Sequence, residues 1–271
     1  MKTLKRIAAG ILSAALLLGM TSCAAKQTEA SAEADTAAFT TVESGKLIMA
    51  TNAFFPPYEY YEGDKIVGID VEIATAVAQK LGLELVIEDV EFDSIIAGVQ
   101  SGKYDIGCAG MTVTEDRLKS VNFSTPYATG IQSIIVAADS EITDIDMLLA
   151  GDYKVGVQSG TTGDIYMSSS VEDGGVGEER IERFAKGNDA VIALTSGKID
   201  AVVIDNEPAK AFVAANDGLK ILETPYTVED YAMAINKDNE ALKDAINQAL
   251  KELTDDGTIA AIVNKYIPAE G

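Results

Sequence analysis

The chain has no histidine and no tryptophan in 271 residues, and only two cysteines. Without histidine it lacks the commonest general base, the commonest transition-metal ligand and every Ser-His or Cys-His nucleophile arrangement. Catalysis is therefore the weaker expectation, and neither a cofactor nor a metal is expected. Two cysteines make no disulfide framework; Cys108 sits in an apolar run, where a free thiol packs as a small hydrophobe. Basic residues are also scarce: 21 Lys and Arg stand against 43 Asp and Glu, for a formal net charge of −22. So acidic a protein has no overall field for nucleic acid and is repelled by anionic headgroups.

The N-terminus reads as an address. Lys2, Lys5 and Arg6 form a positive region, and Ile7 to Leu18 is an apolar stretch too short for a lasting membrane span. Leu18-Gly19-Met20-Thr21-Ser22-Cys23 then has the form of a bacterial lipobox. Residues 1–22 are thus expected to be a lipoprotein signal peptide, and Cys23 the site of a diacylglyceryl anchor. A plain secretory leader with an incidental cysteine is the alternative. Residues 23–44 are small and polar with no apolar period, as in a flexible linker. Roughly 225 residues remain, enough for one large or two small α/β domains.

Apolar strand-like runs alternate with helix-period segments from Leu47 to about Val203, the mark of an α/β fold. Lys46 to Ala50 reads as a first strand. Asp70 reads as the cap of a helix carrying Ile73, Val77 and Leu81 on one face and stopped at Gly82. Leu83 to Ile87 is a second strand, Phe92 to Gln100 a second helix, and Ile131 to Ala137 a long strand. The pattern restarts near residue 144. It passes through strand Tyr153 to Val157 and a hydroxyl-rich turn from Gln158 to Gly163, then strand Ala201 to Ile204 and helix Pro208 to Ala215. A strand near Tyr231 to Ile235 precedes terminal helices Asn239 to Leu253 and Gly257 to Tyr266.

Gly110-Met111-Thr112-Val113-Thr114-Glu115-Asp116-Arg117 follows the apolar run Tyr104 to Ala109. Small and hydroxyl residues leaving a strand just before an Arg suit a carboxylate, which guanidinium holds in a planar bidentate pair. An ordinary strand-to-helix turn, with Thr114 as N-cap and Arg117 as a surface charge, is the other reading. An internal echo adds to the first. Ser101-Gly102-Lys103-Tyr104-Asp105 begins the strand that delivers Gly110, and Ser196-Gly197-Lys198-Ile199-Asp200 begins the strand that delivers Asp205. Ligands of α/β sheets bind outside the carboxyl ends of strands, so the echo suggests two lobes facing one cleft.

The sequence resembles the polar amino-acid group of bacterial solute-binding proteins, family 3, the receptors of amino-acid ABC importers. The resemblance covers about residues 45–268. It rests on five motifs in order: Phe55-Pro56-Pro57-Tyr58-Glu59-Tyr60, Val67-Gly68-Ile69-Asp70-Val71-Glu72-Ile73, Ser101 to Asp105, Gly110 to Arg117, and Asn122-Phe123-Ser124-Thr125-Pro126-Tyr127. It implies a type II periplasmic-binding-protein-like fold, two α/β lobes joined by a two-segment hinge. Matching positions put the hinge at 127–131 and 227–231, lobe 1 at 45–126 plus 232–271, and lobe 2 at 132–226.

The same resemblance implies a ligand site. Arg117 matches the partner of the ligand α-carboxylate, with Thr112 beside it and Thr162 as a donor from lobe 2. Gly110 and Asp205 match acceptors for the α-ammonium. Phe55 and Phe92 match aromatics flanking the ligand side chain, Phe92 having a core role as its alternative; Asn52 and Gln158 match side-chain-pocket positions. Tyr58 and Tyr60 read as structural, Glu59 as a surface charge. A zwitterion leaving water needs an opposite charge at each end, which Arg117 and Asp205 supply. Asn52 stands where family members choosing cationic amino acids often carry an acid, so a neutral polar L-amino acid such as glutamine is slightly favoured over a cationic one. Glu207 and Glu59 are further acids that could reach the pocket, and Phe54 could narrow it. The implied setting is a monomer outside the membrane, lipid-anchored, working with an ABC permease and its ATPase. Arogenate or prephenate dehydratases on the same fold, and surface adhesins, are the rival classes.

Overall fold

A computed structural model describes residues 39–222 and 227–268. The expected leader, the lipidation site Cys23 and the linker up to residue 38 lie outside the described residues. The elements begin with β1 (Lys46–Thr51), β2 (Phe54–Phe55), β3 (Glu59–Glu62) and β4 (Lys65–Val67). Next come α1 (Ile69–Lys80), β5 (Glu84–Asp89), α2 (Ile95–Gln100), β6 (Ile106–Gly107), α3 (Glu115–Ser120), β7 (Val121–Phe123) and β8 (Ala128–Ala137). The chain continues through α4 (Ile145–Ala150), β9 (Val155–Gln158), α5 (Thr162–Ser168), β10 (Ile181–Phe184), α6 (Gly187–Thr195), β11 (Ala201–Asp205) and α7 (Asn206–Ala215). It closes with β12 (Leu219–Ile221), β13 (Thr227–Tyr231), β14 (Ala234–Asn236), α8 (Glu240–Asp255) and α9 (Thr258–Tyr266).

These elements form two α/β lobes. One sheet has the order β5-β1-β6-β14-β7, with β1 parallel to β5 and β6 and β14 antiparallel to β6 and β7. The other runs β10-β9-β11-β8-β12, with β9 parallel to β10 and β11 and β8 antiparallel to β11 and β12. Thus β1 and β6 of the first sheet correspond to β9 and β11 of the second. The ten-residue β8 also pairs with β13, from Ala128↔Tyr231 to Gln132↔Thr227, and this ribbon joins the lobes. Gly130 lies where the ribbon is tightest, since a Cβ there would sit 2.0 Å from the Tyr231 hydroxyl.

The Ser-Gly-Lys echo has a structural cause. Gly102 and Gly197 end α2 and α6 at φ 73° and 71°, left-handed angles that glycine takes without steric cost. Lys103 N–H then donates to Gly98 O, and Lys198 N–H to Ala193 O. Each following Asp straps the neighbouring parallel strand: Ile48 N–H donates to Asp105 Oδ2 and Lys154 N–H to Asp200 Oδ2, both at 2.8 Å. The same device therefore fixes strand register in both lobes.

Three expectations need correction. The helix expected over Phe92 to Gln100 is a 3₁₀ turn, Phe92–Ser94, followed by α2. The strand expected near Tyr231 to Ile235 is two strands, β13 and β14, separated by Ala232 and Met233. Asp70 is not a cap: Gly68 holds that position at φ 130°, and a Cβ on Gly68 would lie 2.2 Å from the Tyr58 carbonyl. The tight approach turns Asp70 inward, into the core.

Candidate functional site

The carboxyl ends of the middle parallel strands meet where the lobes face. Asn52 follows β1, Gln158 ends β9, Asp205 ends β11, and the Gly110 segment leaves β6. Gly110 takes φ 52°, and a Cβ there would fall 2.7 Å from the Phe55 ring, so glycine lets the segment pass the aromatic. The segment is sewn to β13 by Val113 N–H to Asp230 O and Ala232 N–H to Met111 O.

The turn reading of the Gly110–Arg117 segment holds for its cap and fails for its charge. Thr114 does cap α3, its hydroxyl accepting from Arg117 N–H at 3.2 Å. Arg117 is nevertheless no surface charge; it is 8% exposed. Its guanidinium donates to Thr112 O at 2.7 Å in its own lobe and to Gly160 O at 3.0 Å in the other. The Phe92 ring centroid lies 5.4 Å from its Cζ. Burial lowers the pKa of Arg117, while Glu229 and Asp205 raise it, so two carboxylates balance the buried cation. On the far side Asp164 fixes the Gly160 loop, accepting from Gly160 N–H at 3.0 Å and from Arg183 Nε at 2.9 Å.

Two further bonds cross between the lobes: Gln158 Nε2 to Asn52 Oδ1 at 2.9 Å, and Ser159 Oγ to Asp93 Oδ2 at 3.2 Å. Between them Asn52, Phe55, Glu59, Phe92, Ala109, Gln158, Thr161 and Asp205 enclose about 10 Å³, space for roughly one water. Phe55, Phe92, Asn52, Gln158 and Asp205 are thus brought together around one cavity. Phe54 is not among its walls: it faces a separate groove with Pro56 and Phe212, under Lys186 Nζ at 3.5 Å. Glu207 pairs with Lys210 and lines a crevice on the hinge side.

Asp205 is buried and accepts a short hydrogen bond from the Tyr231 hydroxyl. Burial pushes its carboxyl up to about 7; Tyr231 opposes the rise and the nearby Glu229 charge adds to it. Tyr231 is held in turn by an edge contact with Tyr58, ring centroids 5.2 Å apart.

Three acids were misread or missed. Glu59, expected at the surface, is 1% exposed, and Asp70, expected as a cap, is 0% exposed. Burial drives Glu59 well above the usual carboxylate range, and the charge of Asp70 adds to the rise. Asp70 Oδ2 accepts from Gly110 N–H at 2.7 Å and from the Tyr127 hydroxyl at 2.8 Å, so this acid fixes the loop that carries the site. Glu229, in β13, escaped sequence reasoning. Its Oε2 accepts from Thr112 Oγ1, Thr162 Oγ1 and Gln132 Nε2, each at 3.0 Å. A hydroxyl has one proton. As arranged, Thr112 and Thr162 therefore spend theirs on Glu229, and neither is among the residues that line the cavity.

Glu229→Ala leaves two buried hydroxyls and an amide without their acceptor, at positions drawn from both lobes. A loss of roughly 2–4 kcal/mol in unfolding free energy is expected, and Glu229→Gln should recover part of it. Denaturant titration of both variants checks this; a wild-type midpoint for the Ala variant would contradict the arrangement.

Two α/β lobes meeting over one buried cation and several buried carboxyls define a two-lobed binding protein of the type II class. The chain belongs to the bacterial extracellular solute-binding proteins, family 3, whose profile matches residues 47–269. It is 36% identical over 233 residues to the arginine-binding extracellular protein ArtP of Bacillus subtilis (strain 168), covering 84% of this chain and 89% of that one. Among solved structures it is similar to an ancestral arginine-binding protein bound to arginine (39% identity, TM-score 0.76, 82% of this chain and 98% of that one). It is likewise similar to an ancestral arginine-binding protein bound to glutamine (38% identity, TM-score 0.76, 83% of this chain and 99% of that one).

Proposed function

We propose that this chain is an extracytoplasmic receptor that binds a polar L-amino acid between its lobes and presents it to an ABC permease and its ATPase. In this reading Cys23 carries the lipid anchor, residues 127–131 and 227–231 form the hinge, and the protein acts as a monomer. Arg117 takes the α-carboxylate and Asp205 the α-ammonium, with the Gly110 carbonyl beside it. Thr112 and Thr162 join the carboxylate by turning their protons from Glu229 to the ligand. Phe55 and Phe92 flank the side chain, whose polar end reaches Asn52, Gln158 and Glu59. The cavity of about 10 Å³ admits no amino acid as it stands, so binding requires the lobes to part and reclose. The ligand then replaces Arg117–Gly160 and Gln158–Asn52 with its own contacts, which is how occupancy favours the closed state.

The observation that carries the reading is a buried Arg117 that donates across the lobe boundary to Gly160 O and feels the charge of the buried Asp205 of the other lobe. A second carboxyl in the cavity bears on the side chain. Asn52 favours a neutral one, but Glu59 lines the same cavity and supplies an acid that Asn52 lacks. With the zwitterion's ends satisfied by Arg117 and Asp205, Glu59 is left to meet a cation, so L-arginine is preferred to L-glutamine. The arginine-binding relatives support the cationic ligand, and an ancestral arginine-binding protein bound to glutamine supports the neutral one as second choice. In calorimetric titrations L-arginine should bind tightest and L-glutamine more weakly, whereas agmatine, which lacks the carboxylate, should not bind. Equal binding of agmatine and L-arginine would overturn the assignment.

A second reading rests on the same acids. Carboxyls whose pKa is raised by burial in a closed cleft are what a secreted arogenate or prephenate dehydratase needs for general-acid catalysis, and Glu59 and Asp205 are such groups. Incubation with prephenate, followed by ultraviolet absorbance, separates the readings; no product is expected from a receptor.

A further inference from the structure

Glu59 and Asp70 are both buried, and Glu59 Oε2 and Asp70 Oδ1 have no hydrogen-bond partner among the described residues. The two acids are neighbours: Asp70 N–H donates at 3.0 Å to the carbonyl of Tyr58, the residue before Glu59. Two ionised carboxylates held together out of water repel each other with nothing to offset the charge, so a pair placed this way retains a proton. Among the described residues, the groups facing the pair add no positive charge: Asp205 faces Glu59, the Tyr127 hydroxyl and Cys108 thiol face Asp70, and Tyr58 faces both. Asp70 is buried behind the cavity and tied to Gly110 and Tyr127, whereas Glu59 forms part of the cavity wall. The pair thus connects the binding space to a proton held in the core.

Resting on the amino-acid reading above, we propose that the Glu59–Asp70 pair senses the charge of the ligand's side chain. A cationic side chain seated against Glu59 takes the place of the retained proton, which leaves for solvent as both carboxyls become ionised. A neutral side chain leaves the proton where it is, and can donate to Glu59 or accept from it. The charge balance is one for one: a cation enters and a proton departs. Wherever the free pair holds its proton, affinity for a cationic ligand must then rise with pH by about tenfold per unit more than affinity for a neutral isostere. Choice between the two classes is therefore set by external pH as well as by shape.

Asp205 adds a proton exchange of its own, because every L-amino acid brings an α-ammonium to it. That contribution cancels when two amino acids are compared. The test is calorimetric titration with L-arginine and with its neutral isostere L-citrulline, each in two buffers of different ionisation enthalpy, between about pH 5.5 and 8. L-Arginine should release about one proton more than L-citrulline. Glu59→Gln and Asp70→Asn, each preserving shape, should both abolish that difference. Binding of both ligands with equal proton release overturns the proposal while leaving the amino-acid reading intact. Failure of any L-amino acid to bind overturns both. If the Gln and Asn variants fold and keep the extra proton for L-arginine, its source lies elsewhere and the proposal again fails.

Discussion

Arg117→Ala is expected to weaken L-arginine binding by roughly 2–5 kcal/mol, a loss of about thirtyfold or more, as removing one partner of a buried charge pair does. The guanidinium lies buried at the lobe boundary, held from three sides: Thr112 O, Gly160 O and the Phe92 ring. Its removal has a second consequence. Glu229 and Asp205 lose the charge that offsets their mutual repulsion, so the site becomes more acidic as well as less able to hold a carboxylate. Arg117→Lys keeps the charge but not the planar fork, and should recover only part of the affinity. Calorimetric titration of the three proteins decides the matter. Micromolar affinity surviving in the Ala variant would remove Arg117 from the site.

How much of this was legible from sequence depends on the distance over which each residue acts. The strand–helix alternation and the Ser-Gly-Lys echo are local: a left-handed glycine ends a helix, and an Asp three residues on straps the adjacent strand. Both lobes could be read from them. That Arg117 and Asp205 stand in strand-end segments was legible because each segment has a recognisable local form. Asp70 was misread because its local setting, three residues into a Val-Gly-Ile-Asp run, is that of a helix start. What places it in the core is Gly68 packing on the Tyr58 carbonyl, together with a bond to Gly110 forty positions away. Glu59 follows Asp70 inward for the same reason. Glu229 reverses the usual rule of strands: Val228 is 68% exposed while Glu229 and Tyr231 point inward, because β13 crosses between lobes and its inner face meets the cleft. Hydropathy alone would orient that strand the wrong way.

Asp205→Asn should separate binding from stability. The side chain is buried, and its carboxyl is raised from the ordinary 3.8 to about 7. Because the folded-state pKa lies above the unfolded one, the folded chain holds more protons between those values. Stability of the free protein therefore falls as pH rises through that window, by about 1.4 kcal/mol per pH unit and up to about 4 kcal/mol in all. Asparagine escapes that cost, and its amide oxygen can still accept from Tyr231. At pH 8 the variant should unfold at a higher temperature than wild type, with the advantage shrinking as pH falls toward about 4. Binding should move the other way. An amide leaves the ligand ammonium without a counter-charge, at a cost of roughly 2–5 kcal/mol in affinity. In wild type, L-amino acid affinity should likewise decline below about pH 7, where Asp205 is protonated. Thermal melts at pH 4.5 and 8 beside titrations at both values would show the two effects together. A variant that melts lower than wild type at pH 8, or whose advantage does not change with pH, would mean that Asp205 is not a strained acid. The buried carboxylate would then be part of the framework, and the cost of holding an unpaired charge for the ligand would have to fall on another residue.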